Sequence, residues 1–123
     1  MKPLFHPSAG DITLEGIMHA LSHPVRLHIF AELSHAESPQ TCRTLAETSD
    51  RVLPKSTLSG HFSVLREAGL VRSERKGVEV YNIPRHDDLR DRFGPLIPAI
   101  IDAQASQKAR SRNGGLKHRM KRL

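Results

Sequence analysis

Three short helices, a longer fourth, a two-stranded hairpin and a closing helix make a winged helix-turn-helix, an α+β but mainly helical fold. Three observations in this sequence predict it. Apolar residues recur at i, i+3, i+4 and i+7 in the first half of the chain. The period then changes from 3.6 to 2 over residues 70–83. Helical spacing returns after Pro84, with Pro and Gly marking the boundaries between elements.

Residues 1–10 read as an extended lead-in. Asp11 is the expected N-cap of a first helix over 11–22, whose stripe is Leu14, Ile17, Met18 and Leu21. Ser22-His23-Pro24 breaks it, and Pro24 suits the first turn of a second helix over 24–36 with Val25, Ile29, Phe30 and Leu33 on one side. Ser38-Pro39 is a turn. Thr41 caps a short third helix, 41–49, with Leu45 and Ala46 inward. After a loop containing Pro54, Ser56 is the expected N-cap of a fourth helix over 56–68, which buries Leu58, Phe62 and Leu65 and stops at Gly69. Residues 70–74 and 78–83 are strands about a turn at Arg75-Lys76-Gly77, with Val78 and Val80 on one face and Glu79 and Tyr81 on the other. The last helix, 86–107, is interrupted by Gly94-Pro95 and Pro98, which predicts a kink or a restart at Pro95.

The chain has 123 residues, enough for one domain with a modest aliphatic core, and it contains four Phe, one Tyr and no Trp. No apolar run approaches the roughly 18 residues that cross a bilayer. Residues 1–10 hold no apolar stretch of the secretory type, so a cytoplasmic protein is expected. The single cysteine, Cys42, excludes an internal disulfide framework and a multi-cysteine zinc site. The net charge of +6 is unevenly spread. Lys108, Arg110, Arg112, Lys117, Arg119, Lys121 and Arg122 carry it, and residues 1–107 hold 12 basic and 13 acidic side chains. The expected organisation is a DNA-binding and dimerisation domain at 1–107 and a basic, disordered tail at 108–123. That tail either binds phosphates non-specifically or is a solvated extension.

Several stretches resemble the ArsR-type (arsenic-repressor-like) transcription regulators. Residues 20–29, Ala-Leu-Ser-His-Pro-Val-Arg-Leu-His-Ile, are similar to that family's entry into the second helix. Residues 56–71, from Ser56-Thr57-Leu58-Ser59-Gly60-His61 to Gly69-Leu70-Val71, are similar to its recognition helix and first wing strand, and 76–81 to its wing. The resemblance covers about residues 11–105. It implies a dimeric repressor on a partly palindromic double-stranded operator, and a bracing role for Arg26. Two departures stand out: a turn through Asp50-Arg51-Val52-Leu53-Pro54 about two residues longer than usual, and Gly60 where many relatives carry a long polar side chain.

The candidate DNA contacts are Lys55, Ser56, Thr57, Ser59 and His61 at the start of the fourth helix, and Arg72, Arg75 and Lys76 in the hairpin. Short hydroxyls and a helix N-terminus suit phosphate oxygens and close groove approach. His61 and Thr57 are the expected base readers, and Lys55 and Ser56 the phosphate contacts. The hairpin cations add affinity with little sequence information. Arg72 has an alternative use in a pair with Glu74 or Glu79. Dimerisation is expected through Leu14 and Ile17 of the first helix and the stripe Leu89, Phe93, Leu96, Ile97, Ile100 and Ile101, more apolar than a lone surface helix needs. Two recognition helices would then stand about 34 Å apart.

No metal and no cofactor are expected. The resemblance implies sensor sites of two kinds, a cysteine pair at the third helix or Asp and His from the last helix. Gln40-Thr41-Cys42-Arg43 supplies one thiol beside a cation, and the last helix supplies His86, Asp87, Asp88 and Asp91 only near its start. Cys42 at a helix N-terminus beside Arg43 is a candidate redox thiol of lowered pKa, or an inert, half-buried residue. Ser56, Ser59 and His61 diverge on one helix, and no nucleophile elbow, phosphate loop or His-Glu-x-x-His is present, so no enzyme is expected. The resulting expectation is a cytoplasmic, homodimeric transcription repressor. The alternatives are a winged-helix protein-interaction module and a redox-responsive regulator acting through Cys42.

Overall fold

The chain enters the domain through a short turn and an extended pair of residues, which a single-helix reading of its start does not foresee. In the computed structural model, which describes residues 4–48 and 53–121 and only the backbone of 46–48 and 111–121, Ala9–Asp11 forms a 3-10 turn. The side chain of Ile12 follows, buried in the core. Helix α1 begins only at Leu14 and spans Leu14–Leu21, with the hydroxyl of Thr13 accepting from the Gly16 amide at 3.0 Å. Thr13 therefore takes the capping role expected of Asp11, because the chain stays extended at Ile12 to point that side chain inward. Helix α1 buries Ile17, Ala20 and Leu21.

Helix α2 (Pro24–His35) starts with Pro24 in its first turn, and the His23 ring caps it by accepting from the Val25 amide at 3.1 Å. Arg26 reaches back to the end of α1, where its Nε donates to the Ala20 carbonyl at 2.7 Å and its Nη2 to the His19 carbonyl at 3.3 Å. It thus satisfies orphan carbonyls at a helix C-terminus, the bracing role the resemblance implies. A two-residue strand, β1 (Gln40–Thr41), precedes α3 (Cys42–Thr48). Two residues carry no period, so nothing in the sequence marks them as a strand. Thr41 still caps α3, its hydroxyl accepting from the Thr44 amide at 3.3 Å, and Leu45 is buried. The long turn expected through residues 50–54 lies mostly outside the described residues, as does the side chain of Ala46.

Helix α4 (Lys55–Glu67) begins one residue before the expected start, with Pro54 in the capping position at φ −57° and ψ 144° and its carbonyl accepting from the Leu58 amide at 3.0 Å. Ser56 is therefore inside the first turn, not its cap. Leu58, Phe62 and Leu65 are buried as the spacing predicts. Strands β2 (Val71–Lys76) and β3 (Glu79–Pro84) pair antiparallel, and β1 adds to β3, giving the order β1-β3-β2. The register pairs Lys76 with Glu79, so the turn is the two residues Gly77-Val78, with Gly77 at φ +63°. Arg75 and Lys76 belong to β2, and Val78, expected to share a strand face with Val80, stands fully exposed at the tip.

Helix α5 (His86–Phe93) stops at Gly94, φ +59°. The chain restarts as α6 (Leu96–Lys121), with the Pro95 carbonyl accepting from the Ala99 amide at 3.1 Å and Pro98 in the first turn, where no amide is needed. Where the sequence suggests a disordered tail, α6 runs on to Lys121. The good helix formers of 103–110 carry it past the expected boundary. Among the described residues no helix is both long and apolar enough to cross a membrane. The core gathers Phe30, Phe62, Leu33, Leu65 and Leu70 around Ile12 and Ile17. Ile17, Leu89, Ile97 and Ile101, four of the expected dimerisation residues, are buried in this core.

Gly69 follows α4 at φ +83°, and a Cβ there would collide with Cγ1 and Cδ1 of buried Ile12. Gly69→Ala combines left-handed strain with a clash in the core and is expected to lower stability by about 2–4 kcal/mol. The midpoint of urea unfolding checks this; an unchanged midpoint would contradict the packing described.

Candidate nucleic-acid interface

Three buried residues on one face of α4 fix what the other face presents. With Leu58, Phe62 and Leu65 inward, Lys55, Ser56, Thr57 and Ser59 are all exposed. Gly60 shares this surface, and a Cβ placed there would meet nothing within 4 Å. The surface at the start of α4 is thus a cation, three hydroxyls and a bare stretch of backbone beside a helix N-terminus, a combination suited to oxyanions.

His61 stands apart from this set. It is half-buried on the flank of α4 that faces α2, its ring 4.7 Å from that of His23 and inclined by 52°. Burial first, and then His23 and Arg26, hold its pKa below the ordinary imidazole value. The residue expected to read base edges thus also makes a contact between α4 and the cap of α2. Thr57 remains exposed, as expected.

The hairpin presents its cations on two faces, because successive strand residues alternate. Arg72, Glu74 and Lys76 of β2 line a groove of about 400 Å³ with Tyr81, Ile83 and the Ser38-Pro39 turn. The Lys76 ammonium lies 5.9 Å from the centre of the Tyr81 ring. Arg75 is exposed and falls on the face of Val71 and Ser73. Glu79, a suggested partner of Arg72, pairs with Arg43 at 3.6 Å. Among the described residues no carboxylate forms a salt bridge with Arg72.

Sequence reasoning missed the group that fixes the hairpin against α4. Arg66 Nε donates to Ser73 Oγ at 3.0 Å, Ser73 Oγ donates to Asn82 Oδ1 at 2.6 Å, and Asn82 Nδ2 donates to the Gln40 carbonyl at 3.1 Å. Ser73 and Asn82 are buried and face each other in the β2–β3 register. The available signal was a serine at the position of β2 that alternates with buried Val71. Of the two readings of Cys42, the thiol of lowered pKa is the one the structure does not support. Burial pushes its thiol above the ordinary value, outweighing Arg66 and Lys55, which lower it. Among the described residues no three of His, Cys, Asp and Glu converge as metal ligands would.

A family model described as a helix-turn-helix domain matches residues 21–74, from the end of α1 to the middle of β2. No curated protein matches the chain. Among solved structures, the chain is similar to an ArsR-like transcriptional regulator from Rhodococcus sp. RHA1, at 25% identity and a TM-score of 0.55, over 76% of this chain and 87% of that one. It is similar to a second ArsR family transcriptional regulator at 22% identity and a TM-score of 0.56, over 78% and 96% of the two chains. It also shares its fold with the transcriptional repressor BigR from Xylella fastidiosa, at 24% identity and a TM-score of 0.52, over 65% and 85%.

A half-buried thiol of raised pKa is a poor nucleophile. Cys42 is expected to react with an aromatic disulfide reagent about tenfold or more slowly than a free cysteine peptide near neutral pH. An equal or faster rate would restore the redox role.

Proposed function

We propose that this chain, a winged helix-turn-helix protein of the ArsR type, is a non-enzymatic, homodimeric transcription repressor of the cytoplasm that reads a two-fold symmetric DNA operator. The observation that carries the reading is the exposed face of α4. Lys55, Ser56, Thr57 and Ser59 stand together at its N-terminus, beside a hairpin that carries Arg72, Arg75 and Lys76 in solvent. In this reading Lys55 and Ser56 meet phosphates and set the register, and Thr57 and Ser59 approach base edges in the major groove. The hairpin cations hold the flanking backbone. His61 supports α4 from behind instead of touching a base. The interaction-module alternative calls for an acidic or apolar recognition face, and the face of α4 is neither.

The dimer surface follows from which apolar residues the core leaves over. Leu14 is 41% and Met18 59% exposed on α1, and Phe93, Leu96 and Ile100 are half-buried around the α5–α6 junction. These five, rather than the whole expected stripe, would meet a second copy. A dimer lying across two successive major grooves represses by covering the operator.

Selection of bound fragments from random duplex DNA, with the full chain and with a Lys55→Ala/Thr57→Ala variant, tests the DNA reading. A two-fold symmetric motif is expected from the former and its loss from the latter. If no motif emerges and binding disappears on removing residues 108–123, the basic segment alone held DNA and the reading fails. Lys55→Ala and Arg75→Ala are each expected to lower the salt slope of operator binding by about 1, a phosphate contact apiece, as measured by fluorescence anisotropy. Leu14→Asp/Met18→Asp is expected to sediment as a monomer where the unaltered chain is a dimer; an unchanged sedimentation coefficient would exclude this face.

A further inference from the structure

Strand β2 is an outer strand of the sheet, yet its Ser73 amide is not left to solvent. It donates to Nε2 of His6 at 2.9 Å, across 67 residues of sequence. The segment that carries His6 is tied down at two more points. Arg85 Nη1 donates to the Pro7 carbonyl at 2.8 Å, and Arg92 donates to the Ala9 carbonyl. Guanidinium donors stay protonated at any pH the protein meets. The His6 bond differs in kind, because an imidazole nitrogen accepts only while it carries no proton.

We propose that residues 4–11 form a strap over the hairpin whose latch is the neutral ring of His6, and that protonation of this ring opens the latch and frees the outer edge of β2. A proton on Nε2 would set one N–H against another. The charge would also arise among cations from each surrounding element: Arg72 of β2, Arg66 of α4, and Arg85 between β3 and α5. Arg85 is itself paired with Asp88 of α5 at 3.0 Å. Burial, followed by these three guanidinium groups, holds the His6 pKa down, and a backbone hydrogen bond at Leu4 works the other way. The docked strap therefore favours the neutral ring. Its hold is complete above the free-imidazole value of about 6.5 and is lost as pH falls through the lower, docked value.

The consequence for DNA rests on the function proposed above. Ser73 is also the residue whose hydroxyl Arg66 of α4 grips. Opening the latch loosens the hairpin against α4, and the protein releases its operator in acid.

Hydrogen exchange in the full chain tests the latch without DNA. The protection factor of the Ser73 amide, corrected for intrinsic exchange, is expected to fall about tenfold per pH unit between the free and docked pKa values. In His6→Gln, whose side-chain oxygen accepts at any pH, protection should stay level. Constant protection in the unaltered chain, or a parallel fall in both, overturns the latch. If His6→Gln does not dock, the His6 ring titration followed by NMR decides: a midpoint matching the loss of Ser73 protection supports the latch, and a separate midpoint overturns it. Operator affinity is then read in both proteins at about pH 7.5 and 5.5. An acid loss confined to the unaltered chain supports the coupling, and equal losses overturn it. Absence of operator binding at the higher pH, where the latch is closed, counts against the DNA reading and leaves the latch standing.

Discussion

A hairpin attached to a helical domain only by its own two strands would swing freely, and its side chains would hold no fixed position relative to α4. Here the buried hydroxyl of Ser73 prevents that. It accepts from Arg66 on α4 and donates to Asn82 on β3, and Asn82 in turn donates to the carbonyl of Gln40 in β1. Helix α4 and three strands are thereby joined through a chain of hydrogen bonds whose central Ser73–Asn82 link is buried and whose outer links are partly so. Removing one member of such a chain leaves its neighbours buried and unsatisfied, which costs more than the bond itself contributes. Each end of the hairpin is also tied: Gly69 takes the left-handed turn where β2 leaves α4, with no room for a Cβ beside Ile12, and the Leu70 carbonyl accepts from the Arg85 amide at 2.9 Å where β3 leaves the sheet.

The architecture was legible in the sequence wherever a face is buried over several residues. Leu58, Phe62 and Leu65 repeat at helical spacing and define α4, and Pro24, Gly69 and Gly94 mark where helices begin or end. What escaped has short range or depends on tertiary placement. Strand β1 is two residues long, paired with β3 at Asn82 and Tyr81 and joined to it again by the Asn82 side chain on the Gln40 carbonyl. Thr13 replaced Asp11 as a cap because Ile12 had to reach the core, a demand made by residues far along the chain.

The candidate surface divides in the same way. The hydroxyls and the lysine at the start of α4 could be assigned to solvent from the apolar stripe opposite. His61 could not, because its surroundings are His23 and Arg26, and pattern alone does not place one helix against another. The dimer stripe was overdrawn for a related reason. Apolar spacing shows that a helix face is covered but not by what, and the domain's own core covers Ile17, Leu89, Ile97 and Ile101.

Gly60 gives the exposed face of α4 an unusual latitude. An added side chain there enters open space, disturbs no core packing and, in the middle of α4, favours the helix over glycine by about 1 kcal/mol. Most routes to new specificity exchange stability for a new contact. At this position the two change in the same direction, so a new side chain can be tried on this face through a single codon without passing through a weakened protein.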